Sequence, residues 1–404
     1  MVLGAFFIGY CIMAFPIGMA VQKWGWKLPL QAALLINAII SISTPWLAVW
    51  GGWKAVCVCR IIQGLSQTGS FPCVQNLMAN WAPISERASF SSYVYTGTTI
   101  GTVIGYQVAG FLADSSWGWP STWWVTGALC LACLVFLTIF GEPTPSTHKG
   151  ITEEEKNYIL GKTDDGAYRP RPRTPWKTIL TSKPVWGILA THIGSGLVFV
   201  FCFTQAPSYV HYILGVDVKN SGLLSSLPYI ASVFTSIAFG IISDFATKRQ
   251  FVSMRNARRI SNSISQVGAG VSLLLVTFTN STALAIFFLI TAMGCHMGIN
   301  TGWIVNHIDL APNYSGAMMA TGNAFMNIFT VCLPLLVSQI VTDVRNTTQW
   351  RIMFFIVAGV AVFCNTVFVL LMSTDTQPWN DIELYDLTQQ EARLEEKNEK
   401  SEKD

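Results

Sequence analysis

The feature that most limits what this chain can become is the recurrence of apolar runs about 20 residues long, the length a helix needs to cross the hydrocarbon of a bilayer. Eleven can be marked: Val2–Val21, Leu28–Val49, Val56–Met78, Ala88–Leu112, Trp119–Phe140, Val185–Leu214, Ser221–Ile242, Ile260–Phe278, Ala283–Val305, Ala317–Val341 and Ile352–Met372. At about 22 residues each they occupy roughly 60% of the chain and leave no room for a separate soluble domain. Charged residues make up 12% of the sequence and hydrophobic ones 51%, whereas a soluble domain carries roughly 25% charged residues. A soluble enzyme, a disordered chain and a disulfide-stapled secreted module are thereby excluded. The expected class is all-α and polytopic, with the lipid bilayer as its main partner. A net charge of +3 gives no reason to expect nucleic-acid binding.

The gaps between runs organise the chain. A long polar stretch, 141–184, separates five runs (1–140) from six (185–372), and a charged tail, 373–404, follows. Alternating the runs across a membrane places sixteen Lys and Arg on one side and four on the other, with four more in the tail. Positive charge marks the cytoplasmic side, so the long loop and the tail are expected there, the tail as a solvated end. The sequons at Asn280 and Asn346 fall on the opposite side, as glycan acceptors must. Eleven spans with a cytoplasmic tail start the chain outside; one further helix at the front would restore two sets of six.

Within the spans, Arg60 is the one residue with a fixed charge deep in an apolar run. Such a charge faces a cavity or a partner, and a guanidinium fork suits carboxylate or phosphate. The plainer alternative is a helix-to-helix contact. Gln63 and Gln67 follow at three and seven residues, on the same helical face. The three together read as a polar stripe lining a path, with Gly64 allowing close backbone approach and Pro72 a bend. His192, His296, Asn300 and Asn323 are weaker candidates for ion coupling, each also explicable as a hydrogen-bonded packing residue. Gly97, Gly101 and Gly105 have helix-packing spacing, Tyr209 and His211 an interfacial position, and Cys130–Cys133 sits in an apolar run where packing is the expected role. No phosphate-binding loop, nucleophile elbow or metal-ligand pattern is present, so neither enzyme activity nor a cofactor is expected.

Particular motifs now resemble a known group. Arg60-Ile-Ile-Gln63-Gly64 is similar to the RxxQG motif of the fourth helix in the major facilitator superfamily. Gly240-Ile-Ile-Ser-Asp244-Phe-Ala-Thr-Lys248-Arg249 resembles its GxxxDxxxxR loop; the first-half copy, Gly18 to Lys27, has Gln22 where Asp is expected. Further runs are Asn80-Trp81-Ala82-Pro83-Ile84-Ser85-Glu86-Arg87, Gly118-Trp119-Pro120-Ser121, Gly222-Leu-Leu-Ser-Ser-Leu-Pro228-Tyr229 and Asn306-His307-Ile308-Asp309-Leu310-Ala311-Pro312. They resemble the anion/cation symporter family of sodium-phosphate cotransporters, sialin and vesicular glutamate transporters, and point within it to the insect-type inorganic phosphate cotransporters. The resemblance covers Val2 to Met372. It implies two six-helix bundles, alternating access around a midplane site, and a chain that starts at the family's second helix.

It also implies departures. Gln63, Gln67 and Gln75 stand where sialin-like members carry two glutamates and a histidine, Leu3 where vesicular glutamate transporters carry a histidine, and Ser195 where those carry an arginine. Glutamine cannot exchange a proton near neutral pH. The expectation is therefore a secondary transporter of phosphate or a small organic anion, coupled to Na⁺ rather than to protons, in the plasma membrane. A vesicular or lysosomal organic-anion carrier and a non-transporting degenerate carrier are the alternatives. Arg60 would meet the anion with Gln63, Gln67 and Tyr10 shaping the path. His307 and Asp309 would form a turn or gate, and Asp244 would pair with basic residues such as Arg249 or Arg258.

Overall fold

A backbone surrounded by lipid must satisfy its own hydrogen bonds, which leaves helices as the solution for a chain of this pattern. The computed structural model describes residues 2–160, 174–215, 218–279 and 281–380, and among them there are helices and turns but no strand. The helices are α1 (Val2–Trp24), α2 (Lys27–Gln67), α3 (Ser70–Trp81), α4 (Arg87–Asp114), α5 (Trp119–Phe140), α6 (Glu153–Leu160), α7 (Trp176–Thr181), α8 (Lys183–Thr204) and α9 (Ala206–Tyr212). They continue with α10 (Val218–Lys248), α11 (Met254–Ser263), α12 (Ala269–Phe278), α13 (Thr282–His296), α14 (Trp303–Leu310), α15 (Ser315–Ile340) and α16 (Thr347–Leu371). Seven described segments are long and apolar enough to cross a membrane by length and composition, from Lys27–Trp81 to Thr347–Leu371. Asn280 and the charged tail beyond Asn380 lie outside the described residues.

At 41 residues α2 is too long for one crossing, and it is two antiparallel limbs. Gly52 breaks it with φ 58°, ψ −154°, a left-handed conformation that favours glycine. The hydrogen bonds Gln63 Nε2 to Ser41 Oγ (3.2 Å) and Gln67 Nε2 to Asn37 Oδ1 (2.8 Å) are both symmetric about Gly52, the signature of a hairpin folded there. Its second limb continues past Thr68 and Gly69 into α3, where Pro72 is accommodated in the first turn. Gly118, at φ 63°, turns the chain into α5, and Asn346 caps α16 by accepting from the backbone N–H of Thr348 and Gln349.

Packing has two seams of interest. Helix α2 packs on α1, α3 and α5, and α4 on α5, while α8, α10, α12, α13, α15 and α16 form a second connected set. The first group meets the second where α4 lies on α10, and where α1 and α3 lie on α15. Aromatic and aliphatic side chains such as Phe111, Phe363 and Leu370 remain outside as a lipid-facing surface.

Gly64 and Gly9 let α1 and α2 cross at backbone distance: a Cβ at Gly64 would meet Phe6 O and, at 2.9 Å, Tyr10 N. Gly64→Ala should therefore lower stability by about 1–3 kcal/mol through overpacking. Gly101→Ala should be neutral, since nothing lies within 4 Å of its Cβ position. Thermal unfolding in detergent reads the contrast; equal midpoints for the two variants would contradict this crossing. The same observation corrects an expectation: Gly97, Gly101 and Gly105 are exposed and pack against nothing described. Tyr209 is corrected likewise. It is 1% exposed and packs on Trp350 and Phe354 instead of lying at the lipid interface.

Candidate functional site

Arg60 lies eight residues past Gly52, about 12 Å along the limb and so near mid-membrane. Its guanidinium stacks over Trp123 of α5, 4.7 Å from the ring centroid, and Nη1 donates to Gln63 Oε1 at 3.4 Å. Its Nε is buried without a hydrogen-bond partner, and none of the ion pairs among the described residues involves it. Gln63 and Gln67 are held from behind by Ser41 and Asn37, and Asn37 also donates to Ser66 Oγ at 2.8 Å. The hairpin thus carries a polar ladder with a cation whose donors are partly uncommitted. Tyr10 sits on α1 beside it, its carbonyl accepting from Thr68 Oγ1 at 3.2 Å. Asn37, Ser41, Ser66 and Trp123 were not singled out from sequence. Asn37 and Ser41 are four apart inside an apolar run, the same periodic signal that marks Gln63 and Gln67, and it could have been followed.

A second arrangement ties first-half and second-half helix ends together. Asp309, 3% exposed, accepts from Arg258 Nε at 2.8 Å and faces Arg87 Nη1 at 3.5 Å. Arg258 also donates to Thr301 O at 3.3 Å. Arg87 is on α4 and the other two on the second-half helices α11 and α14, so the cluster bridges the halves. Asp244 does not pair with Arg249 or Arg258 as expected. It accepts the Ser89 backbone N–H at 2.7 Å, at the start of α4, where orphan amides and the helix dipole favour a carboxylate. Arg249 instead lies over Phe245, 5.8 Å from its centroid. Arg258 is drawn away by Asp309, the buried carboxylate within its reach. Arg87, read from sequence only as a topology marker, joins this cluster through Asp309.

The seam continues with further hydrogen bonds between first-half and second-half elements. Gln75 Nε2 donates to Ile304 O (2.8 Å), Ser91 Oγ to Asn300 O (2.6 Å), Thr96 Oγ1 to Ser236 Oγ (2.7 Å) and Lys248 to Glu86 (3.0 Å). Glu86 accepts from Lys248 and from Tyr158 in the central loop, which hold its carboxyl below the usual range. Its folded pKa is depressed, so this contribution is complete above the usual carboxylate range and is lost as pH falls below it. Residues 373–380 fold back over the same end: Gln377 N donates to Leu310 O (2.8 Å), Asn306 Nδ2 to Ser373 O (2.7 Å), and Trp379 is buried near Tyr314.

The remaining candidates are buried in the second half and do not join Arg60. Asn300 donates to Ser236 Oγ at 2.8 Å within the α4–α10 seam, and a short 3₁₀ segment, Met297–Asn300, interrupts the helix there. His296 stacks on Phe199. His192 and His307 lie beside Trp303, and Asn323 hydrogen-bonds His192. Asn346 is half-buried, and its side-chain oxygen serves as the α16 cap.

Comparison with known proteins agrees with the fold. The model of the Major Facilitator Superfamily matches residues 1–312. A Drosophila ananassae protein named "Putative inorganic phosphate cotransporter" is 33% identical over 94% of the chain and 80% of its own length. Human sialin is 30% identical over 94% of the chain and 76% of its own length. Among solved structures, a proton:xylose symporter of the superfamily, bound to 6-bromo-6-deoxy-D-glucose, aligns with a TM-score of 0.71 at 17% identity, covering 96% of this chain and 88% of that one. At that identity the likeness speaks for the fold.

Proposed function

The chain belongs to the major facilitator superfamily, together with inorganic phosphate cotransporters and sialin, and on that premise we propose that it carries inorganic phosphate across the membrane by alternating access, coupled to Na⁺. It is a multi-pass membrane transporter by fold and by relatives, which are not enzymes.

The observation that carries the substrate class is Arg60. A guanidinium near mid-membrane, stacked on Trp123 and with a buried Nε lacking a partner, is costly unless an anion completes it. Phosphate and carboxylate both offer the paired acceptors that the fork fits. Gln63 accepts from the fork, and Gln63 and Gln67 put neither a carboxylate nor an imidazole on that helical face, which favours a metal cation over a proton as driving ion. Na⁺ prefers oxygen ligands, and the carbonyl oxygens of such side chains supply them. The halves are the bundle 1–140 and the bundle 185–372, joined by the loop 141–184; closing the cytoplasmic seam and releasing it alternates the access. In the plasma membrane the tail faces the cytoplasm and Asn280 and Asn346 are the glycan acceptors.

A second reading, an organic anion moved across an internal membrane, draws on the similarity to sialin. Competition separates the two. Uptake of labelled phosphate should fall in the presence of unlabelled phosphate and persist with equal concentrations of a sugar acid or an amino-acid dicarboxylate. Inhibition by the carboxylates alone would transfer the site to the organic anion.

A further inference from the structure

The strap of chain that follows α16, residues 373–380, makes contacts that neither the Arg60 ladder nor the ion pairs require. A helix leaves its last carbonyls without intrahelical donors. At the end of α14 the next residues supply few, since Pro312 has no N–H. The strap supplies what is missing from 67 residues further along the chain: Gln377 N donates to Leu310 O at 2.8 Å, and Thr376 Oγ1 lies 3.5 Å from Asp309 O. Asn306 Nδ2, one turn earlier, donates to Ser373 O at 2.7 Å. Asn313, just past α14, is clamped twice: its backbone N–H donates to Asn380 Oδ1 and its Nδ2 to Asn380 O, each at 3.0 Å.

One side chain pins the strap. Trp379 is 3% exposed although Pro378 beside it is exposed, and its ring lies 6.1 Å from that of Tyr314. It belongs to one apolar cluster with Leu310, Tyr314 and Met318 of the second half and Met78 and Tyr95 of the first. The short turns Pro378–Asn380 and Pro312–Tyr314 pack on each other, and α3 of the first half packs on the latter. What the strap holds has little hold of its own. Helix α14 has eight residues, too few to be stable alone, and it lies between the 3₁₀ segment Met297–Asn300 and the extended Ala311. Yet α14 carries Asp309, which reaches Arg87 in the other half.

We propose that residues 373–380 are a latch on the seam between the halves: with Trp379 docked and Asn313 clamped, α14 and the 312–314 turn stand where Asp309 meets Arg87 and where α3 is supported. Undocking releases these contacts while the long helices stay folded. The strap is suited to such an opening. Asp375, Thr376 and Pro378 are exposed and the Asn313–Asn380 bonds lie at the surface, so water replaces what undocking breaks. The buried indole gives the docked form its hold, since an aromatic ring buries more apolar surface than the other strap side chains. The latch acts on the seam and not on the anion site; only its consequence for uptake rests on the transport reading.

Hydrogen exchange of the full-length protein in lipid nanodiscs tests this, with Trp379→Ala, the milder Asn313→Ala, and Pro378→Ala as an exposed control. In both latch variants, exchange should rise about tenfold at Ser89 and Ser91, which are in the other half and touch no strap residue. Amides in the core of the second half, such as Leu273 and Leu289, should keep the natural rate, as should every amide of the control. A rise confined to 306–313 and 373–380 would mean that the strap only caps α14, and would overturn the proposal. An equal rise at Leu273 and Leu289 would mean general destabilisation, and would overturn it too. Faster exchange at Ser89 and Ser91 alone, in a protein that moves no phosphate, would support the latch and remove the transport reading.

Discussion

Replacing Arg60 by Ala is expected to reduce anion uptake by about 100-fold or more, since two charge-assisted hydrogen bonds in a water-poor site are worth roughly 3 kcal/mol. Arg60→Lys should fall between, because it keeps the charge and loses the fork. A helix-to-helix role for Arg60 predicts something different, a loss of stability. Here the guanidinium has a ring and one glutamine as partners and a buried nitrogen with none. Its removal should therefore leave the thermal midpoint unchanged or raise it. Uptake and unfolding measured on one preparation separate the roles. An Arg60→Ala protein that is unstable yet transports at the natural rate per folded molecule would end the anion-contact account.

Asp309→Asn should have the largest effect on stability. The substitution leaves Arg87 and Arg258 facing each other across the seam with no carboxylate between them. Breaking a buried pair in this way costs about 3–5 kcal/mol. The cost falls on the closed state, because an opened seam lets water reach both guanidiniums. The variant should therefore unfold at lower temperature and show faster hydrogen exchange at the start of α4, around Ser89 and Ser91. Adding Arg258→Gln should restore part of the loss by removing one of the two cations. Unchanged exchange at these amides in Asp309→Asn would show that the cluster does not hold the gate.

The transmembrane pattern was the most legible property, because twenty-residue apolar runs admit few other structures. The hairpin in α2 was legible as two runs with polar Gly-Gly-Trp-Lys between them, and Gly52 supplies the turn. Arg60, Gln63 and Gln67 were recognisable from helical spacing, which works because it needs only one helix. Their partners Asn37, Ser41 and Trp123 come from other limbs; Asn37 and Ser41 carry a four-residue spacing of their own, but no rule within one helix says that they meet Gln63 and Gln67. The Asp309 cluster was half legible. Asp309 and Arg258 were both marked, but Asp244 was given the wrong partner. Two carboxylates competed for the same arginines, and the choice depends on depth and on a backbone amide, Ser89 N–H, that a side-chain motif does not display. The glycine stripe of α4 was misread for a related reason: a packing motif marks where a helix can be approached, not that a described neighbour approaches it.

The most direct test of the transporter account is uptake of radiolabelled phosphate into sealed vesicles containing the purified 404-residue chain, with and without an inward Na⁺ gradient. Uptake that requires the gradient, saturates with phosphate and disappears in Arg60→Ala is the predicted result. Folded, inserted protein that accumulates no phosphate under any Na⁺ gradient would contradict it.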